Sequence, residues 1–382
     1  MRLHISATGI LAAALTLASV ACTNIVPLDV DDEAQQELID KREKPKKEAE
    51  KKLLEENKAD SARIAESNKL NRQKYLEDLR AYKKSDHMIT FGWFANWNPE
   101  SPDLVFNLDL LPDSVDFVSN WGPSFNLSQA HKEQLKRAHE RGIGMTIGWI
   151  VGDVGQGINA PEGGWMQWRD QSGEVDWRKS IEAYAQALAD SIQKYDYDGF
   201  DLDYEPAYIS PDGKRQSCGT WSSDDVVAII SCSQSGNKER ENYFFRQLRE
   251  KFDEKEKAMG KKLMLNVNGA LHWLDPDAVQ YFDYFIAQSY NNTGSRWVSS
   301  VDRFAGKGIT RKQLLITETF QTNEPNANSF INNYARVAIE NGLGGVGAFH
   351  INEDHIYGPN YGNIRGAISL MNPPMIPEKN LK

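Results

Sequence analysis

The sequence predicts an α/β protein with a (β/α)8 barrel preceded by a charged helical stalk. Three observations carry this prediction: a length of 382 residues, a sharp change in composition near residue 87, and an alternation of short apolar segments with amphipathic ones after that point. Eight strands with mostly helical connections over about 290 residues suit such a barrel. A doubly wound sheet is the alternative, but nothing here resembles its glycine-rich phosphate-binding turn.

The first 21 residues have the layout of an export signal. A short polar start with Arg2 and His4 precedes the uncharged, mostly apolar residues 10–20, which are too few to cross a bilayer. Cys22 follows small residues directly and resembles the lipidated cysteine of bacterial lipoproteins, with Ser19 where Leu is usual. We expect a lipid anchor at Cys22 on the bacterial outer membrane, at the cell surface or the periplasmic face. The alternative is an ordinary cleaved signal.

Residues 22–86 are predicted to form a charged helical linker. More than half of residues 41–84 are charged, and the leucines are too sparse for a sustained coiled-coil seam. We predict a solvated helix that is broken near Pro45. Its last turns are expected to pack on the following domain through Tyr75, Leu79 and Tyr82.

The barrel domain is predicted to span residues 87–376, and every Trp lies within it. The predicted strands are Ile89–Phe94, Val115–Ser119, Gly144–Trp149, Gly199–Glu205, Lys262–Asn268, Tyr284–Tyr290, Gln313–Thr319 and Gly345–His350. The predicted helices between them include Ser128–Arg141, Trp177–Tyr195, Glu241–Met259 and Asn328–Asn341.

Charge and cysteine content narrow the classes of partner. The formal net charge of −10 disfavours a nucleic-acid partner. No cluster of Cys and His has the spacing of a zinc site, so we expect neither a metal nor a cofactor. If Cys22 is lipidated, Cys218 and Cys232 remain, and an exported protein can keep a disulfide between them; two buried thiols are the alternative. We expect a monomer.

Three acidic residues share one face of the fourth predicted strand. Side chains alternate along a strand, so Asp201, Asp203 and Glu205 point to one side and the apolar residues among them to the other. In a barrel the acids would point inward, with Glu205 at the C-terminal mouth, where such enzymes place their chemistry. Like charges at this spacing raise at least one pKa, which suits a proton donor. A metal-binding or purely structural ladder of acids is the alternative.

Residues 198–205, DGFDLDYE, resemble the D-G-x-D-x-D-x-E signature of family 18 glycoside hydrolases. That family has the (β/α)8 fold and includes chitinases and endo-β-N-acetylglucosaminidases. The resemblance implies substrate-assisted retaining catalysis, in which the substrate's own 2-acetamido oxygen forms an oxazoline intermediate. It implies that Glu205 protonates the leaving oxygen and later activates water. Asp203 would then orient and polarise the acetamido group, with electrostatic support from Asp201.

A second segment, Gln288-Ser289-Tyr290-Asn291, ends the sixth predicted strand. Gln288 and Tyr290 share one face, so both point inward. The chitinase branch usually reads M-x-Y-D here, whereas Gln288 and Asn291 resemble the endo-β-N-acetylglucosaminidase branch. The resemblance implies that Tyr290 donates a hydrogen bond to the acetamido oxygen and that Gln288 helps to hold this group, with Asn291 also near the substrate. An interior polar pair with packing duties is the alternative.

Further candidates for sugar contact lie on other predicted strands. Asn266 and Asn268 share a face and are either donors to sugar hydroxyls or satisfied interior amides. Aromatic rings stack on the C–H faces of sugars, and we expect Trp97, Trp121 and Trp149 to contribute to such a platform, although each could be core. Chitinases usually carry a Trp on the last strand; Gly345–His350 has none.

The sequence therefore predicts an endo-β-N-acetylglucosaminidase that hydrolyses the GlcNAc-β1,4-GlcNAc chitobiose core of N-linked glycans. A chitinase is the alternative enzyme, disfavoured by Gln288, Asn291 and the missing last-strand Trp. A non-catalytic, glycan-binding surface lipoprotein is the third hypothesis. It is disfavoured because Glu205, Asp203 and Tyr290 are all present. The choice among high-mannose, hybrid and complex glycans stays open.

Overall fold

The computed structural model describes residues 32–122, 125–211, 213, 217–290, 303–321, 331–357 and 360–373. Of the predicted site residues, Cys22 and Asn291 lie outside these ranges. The chain forms two compact units, Met1–Asn71 and Arg72–Lys382. The last turns of the predicted stalk thus belong to the same unit as the barrel.

Helix α1 spans Asp32–Lys83 and is 52 residues long. It runs through Pro45, so the predicted break there is wrong. Proline removes one backbone hydrogen bond and crowds the preceding turn, at a cost of about 3 kcal/mol in a helix interior. Ion pairs between residues four apart precede and span this position, and together with the hydrogen bonds of the neighbouring turns they support the helix through it.

The end of α1 contacts the rest of the second unit. Tyr75 donates a hydrogen bond to Asp113, with 2.9 Å between Oη and Oδ2. The Lys83 ammonium donates to the carbonyl of Val115, and burial lowers the pKa of Lys83 to about 8. Leu79 is half-buried. These contacts attach the helix end beside the second strand of the barrel.

Eight parallel strands close into a barrel in the order β1 to β8, which confirms the predicted fold. Strand β1 pairs with β8 as well as with β2, so the described sheet has no free edge. The strands are β1 Ile89–Ala95, β2 Phe117–Trp121, β3 Gly144–Ile150, β4 Gly199–Tyr204, β5 Met264–Gly269, β6 Tyr284–Gln288, β7 Leu314–Thr319 and β8 Gly345–Phe349.

Helices of the second unit connect the strands. They are α2 Gln129–Glu140, α3 Trp177–Tyr195, α4 Glu239–Met259, α5 Ile331–Glu340, α6 Asp354–Tyr357 and α7 Gly362–Met371. Short 3-10 turns span Leu104–Phe106, Leu108–Leu110, Leu271–Trp273, Pro276–Tyr281, Arg311–Gln313 and Ile351–Glu353. Within the part of the chain that the structure describes, no helix combines the length and apolarity needed to cross a bilayer.

Strand alternation divides the apolar residues into two layers. The larger layer lies between the strands and the helices and takes the outward-facing residues of β4, Phe200, Leu202 and Tyr204. The smaller layer fills the barrel interior and includes Phe91 and Trp93 of β1. The inward positions of β4 are Asp201 and Asp203, as the alternation predicts.

Candidate active site

Asp201 is fully buried inside the barrel. The Trp93 indole donates to Oδ2 of Asp201 at 2.7 Å, and the Asn268 amide donates to Oδ1 at 3.2 Å. Burial raises the pKa of Asp201 to about 6, against the opposing effect of these two hydrogen bonds. The carboxyl is therefore held in one orientation directly beneath Asp203.

Asp203 and Glu205 form a pair of interacting carboxyl groups at the C-terminal end of β4. Asp203 is buried, and Glu205, the first residue after the strand, is half-buried. Burial raises the pKa of Asp203 well above its ordinary value, and the charges of Glu205 and Asp201 raise it further. Burial also raises the pKa of Glu205. The pair therefore keeps a proton at higher pH than ordinary carboxyl groups do.

Gln288, the last residue of β6, links the acids of β4 to the second strand along the barrel from them. Its amide nitrogen donates to Oδ1 of Asp203 at 3.2 Å and to Oδ1 of Asn268 at 2.8 Å. The Gln288 hydrogen bonds lower the pKa of both Asp203 and Glu205, against the larger effect of burial. The structure thus brings Gln288 together with the acids, as the sequence predicts.

Asn266 and Asn268 lie on the inward face of β5 and are both fully buried. Asn268 donates to Asp201 and to the carbonyl of Leu202 at 3.2 Å each, and it accepts from Gln288. The bonds of Asn268 favour the alternative of a satisfied interior amide, whereas neither polar side-chain atom of Asn266 has a hydrogen-bond partner among the described residues. Asn268 is therefore an interior amide that positions the acids.

Aromatic rings surround the acids at the centre of the barrel. Tyr290 stacks on Phe349 of β8, with ring centroids 5.7 Å apart. Trp93 and Trp121 each contact the Phe349 ring edge to face, at 5.9 Å. Burial and the three carboxylates raise the pKa of Tyr290 well above its ordinary value, so its hydroxyl keeps the proton that it would donate. Phe349 supplies an aromatic surface on the last strand, where chitinases usually carry a Trp.

The three predicted tryptophans occupy different places. Trp121 is half-buried at the mouth of the barrel, on the interior face of β2. Trp97 packs in the outer layer and donates to Gln134 at 2.8 Å, and Trp149 points outward from β3 onto Phe200, with centroids 4.7 Å apart. Both are only 7% exposed, which places Trp97 in the core, whereas Trp149 also lines the groove between the loops after β3 and β4. The outward position of Trp149 follows from strand alternation.

A groove of about 1050 Å³ opens at the mouth of the barrel, between the ends of β2 and β3 and the loops after β3 and β4. Residues that line it include Trp121, Ile150, Gln156, Thr220 and Trp221. A disulfide joins Cys218 to Cys232 in its wall, which settles the choice that the sequence left open.

Among the residues with described positions, no group of three or more His, Cys, Asp or Glu could hold a metal ion. The chemistry of the site is that of its carboxyl groups, amides and aromatic rings. Trp93, Phe349 and Trp221 were not among the predicted site residues. The sequence could have predicted the inward position of Trp93, because Trp93 lies two residues after Phe91 on β1 and therefore shares its interior face.

A carboxyl pair with raised pKa values, at the C-terminal mouth of a (β/α)8 barrel and beside aromatic rings, is the arrangement expected of a glycoside hydrolase. The match to a family model agrees: residues 54–370 match the description "Glycoside hydrolase family 18, BT1044-like". The chain belongs to glycoside hydrolase family 18.

Three known proteins are similar to different shares of the chain. Endo-beta-N-acetylglucosaminidase F2 of Elizabethkingia meningoseptica is 31% identical over 146 residues, which cover 36% of this chain and 38% of that enzyme. A solved structure of BT1044 in selenomethionine form is 27% identical, with a TM-score of 0.63, and covers 79% of this chain and 93% of its own. A family 18 N-acetylglucosaminidase of Paenibacillus barengoltzii is 12% identical, covering 73% of this chain and 99% of its own, with a TM-score of 0.47.

Proposed function

We propose that the protein is an endo-β-N-acetylglucosaminidase that cleaves the chitobiose core of N-linked glycans. The observation that carries this proposal is the position of Gln288, whose amide donates to Asp203 beside Glu205. The chitinase signature has Met at this point, and a thioether cannot donate such a hydrogen bond. The partial similarity to Endo-beta-N-acetylglucosaminidase F2 supports the same branch.

The proposed reaction proceeds through the substrate's own acetamido group. Glu205 gives its proton to the glycosidic oxygen as the C1–O bond breaks, and the acetamido oxygen bonds to C1 to form an oxazoline-type intermediate. Asp203 accepts a hydrogen bond from the acetamido N–H, and Tyr290 donates one to the acetamido oxygen. Glu205, now a carboxylate, removes a proton from water as the water attacks C1, and the bond between C1 and the acetamido oxygen breaks, which regenerates the acetamido group. Two displacements at C1 retain the anomeric configuration.

The electrostatics of the site suit these roles. A proton donor requires a carboxyl group that is still protonated near neutral pH, and burial raises the pKa of Glu205 in that direction. A carboxylate that accepts the acetamido N–H gains from the Gln288 hydrogen bond, which favours the charged form of Asp203. Asp201 is held by Trp93 and Asn268 and supports Asp203 from below.

Mass spectrometry of a glycoprotein with mixed N-glycans, before and after incubation with the protein lacking residues 1–22, tests the reaction. The expected products are a protein that keeps one N-acetylglucosamine per site and a free glycan that is shorter by one such sugar. Glu205→Gln should abolish release but retain glycan binding, and Asp203→Asn should slow oxazoline formation. Glu254→Gln, the same change at an exposed position of α4, is the matched control.

The two other hypotheses give different results in the same experiment. Cleavage of chitin oligomers without release of any N-glycan would favour a chitinase. Binding of glycans without cleavage of either substrate would favour a non-catalytic lipoprotein. Release of glycans by Glu205→Gln at the rate of the wild type would contradict the assigned proton donor.

We also propose that Cys22 carries a lipid that anchors the enzyme to the bacterial outer membrane. The support is the apolar segment 10–20 followed by small residues and Cys22. Metabolic labelling with a fatty acid should mark the full-length protein, and Cys22→Ala should lose both the label and the membrane fraction. Labelling that persists in Cys22→Ala would contradict the anchor, and protease treatment of intact cells would distinguish the cell surface from the periplasmic face.

A further inference from the structure

The loop between β4 and α4 presents a large aromatic side chain next to the cleft. Trp221 is 45% exposed, although tryptophan is mostly buried in folded proteins. Its indole N–H donates to the carbonyl of Ile230 at 2.9 Å. The Arg240 guanidinium lies 4.9 Å from the centroid of the ring. The exposed ring is thus held in a fixed orientation by the hydrogen bond of its indole N–H and by its contact with the Arg240 guanidinium.

Several bonds fix the backbone that carries Trp221. The Cys218–Cys232 disulfide closes the loop around it. Both carboxylate oxygens of Asp153, in the loop after β3, accept hydrogen bonds from Thr220, one from its backbone N–H and one from its hydroxyl, each at 2.7 Å. An antiparallel bridge between Asp153 and Ala228 joins the same two loops. A site preorganised in this way loses little conformational entropy when it binds a ligand.

The groove described above extends from Trp221 to Trp121 at the mouth of the barrel. It is lined by Trp121, which contacts the aromatic cluster at the acids, and by Gly148, which pairs in register with Asp201. Its volume of about 1050 Å³ lies at the upper end of the range for small-ligand sites, roughly 300–1,000 Å³. The groove is therefore large enough for sugars beyond the two at the cleaved bond.

We propose that Trp221 stacks on a sugar of the glycan beyond the two at the cut, and that this contact makes the enzyme prefer extended glycans over trimmed ones. The proposal rests on the proposed function and adds a specificity-determining residue to it. An indole face matches the C–H face of a pyranose ring. The hydroxyl and amide groups of Thr220, Ser222 and Gln156, which line the same groove, provide partners for the sugar hydroxyls.

The test compares two asparagine-linked substrates: an intact N-glycan and the same glycan trimmed to one mannose on the chitobiose core. Trp221→Ala should lower kcat/KM for the intact glycan about tenfold, mainly through KM, and leave the trimmed substrate within about twofold of the wild type. Trp221→Phe should keep most of the activity because it keeps a flat ring. Ile339→Ala, an exposed apolar truncation on α5, is the control.

Each other outcome has a defined meaning. An equal loss on both substrates, or no loss on either, would overturn the role of Trp221 while leaving the proposed function intact. Failure of the wild-type protein to release any N-glycan would overturn the proposed function and this inference with it. If Trp221→Ala does not fold, Trp221→Leu keeps the apolar volume without the flat ring and should show the same loss on the intact glycan alone.

Discussion

Gln288→Met exchanges the amide at the centre of the site for a side chain of similar length that cannot donate a hydrogen bond. In the structure the amide nitrogen donates to Asp203 at 3.2 Å and to Asn268 at 2.8 Å. A hydrogen bond to a charged group contributes about 1.5–3 kcal/mol, and each 1.4 kcal/mol corresponds to a factor of ten. We therefore expect kcat/KM to fall by about 10- to 100-fold.

The same change should shift the pH profile. The Gln288 hydrogen bonds lower the pKa of both Asp203 and Glu205, so their removal raises the pKa values of the pair. The alkaline limb of kcat/KM reports the group that must be protonated in the free enzyme. It should therefore move to higher pH in Gln288→Met, while activity on the acidic side falls because Asp203 is protonated more readily.

Hydrolysis of a fluorescently labelled N-glycopeptide, followed by chromatography across the pH range, measures both effects. Gln280→Met is the matched control, since Gln280 is exposed and bonds only to the nearby carbonyl of Asp277 among its described contacts. An activity within twofold of the wild type, or an alkaline limb that stays in place or moves to lower pH, would refute the assigned role of Gln288.

Three further predictions concern stability and geometry. The pKa of Asp201 is raised from 3.8 to about 6 in the folded protein, so its contribution to stability is fully present below pH 4 and is lost as pH rises through 6, by about 3 kcal/mol. Urea unfolding of Asp201→Asn should lack this loss, and parallel curves for the variant and the wild type would contradict it. Replacing Cys218 and Cys232 by Ser should lower the free energy of unfolding by about 3 kcal/mol, because the bond closes a loop with a sequence separation of 14; an unchanged urea midpoint would count against this. Gly269→Ala should reduce kcat/KM at least about tenfold, since Gly269 has φ +94° and a Cβ there would lie 3.0 Å from Cγ of Glu205. Wild-type hydrolysis rates in that variant would show that the cleft absorbs the extra methyl group.

The sequence predicts the barrel well because its strands have strong local signals. Each observed strand overlaps its predicted segment, and the alternation along β4 places Asp201 and Asp203 inward as the structure has them. The position of Gln288 beside Asp203 also follows from strand parity and barrel closure. These features depend on spacing along single strands, which a sequence contains directly.

Other features depend on contacts between distant segments. Trp97 lies beyond the end of β1, where strand parity no longer applies, and its burial depends on packing against α2. The outward position of Trp149 could have been predicted, since it shares one face of β3 with Met145 and Ile147, both buried in the outer layer. Helix α1 continues through Pro45 because ion pairs in the neighbouring turns support it. Residue preferences alone do not include this support. Trp221 could not be found, because its place is set by pairing between two loops.

Closure of the barrel also governs when the chain can finish folding. Strand β1 completes its pairing only with β8, and the side-chain amide of Asn372 bonds both the N–H and the carbonyl of Met88, 284 residues earlier, at 3.0 and 2.7 Å. Contacts of such long sequence separation form late, because the loop entropy must be lost first. A chain still under synthesis therefore keeps β1 without its second neighbour until its last strand has emerged. For a protein that is exported as we propose, this delay favours passage through the membrane before the chain reaches its native state.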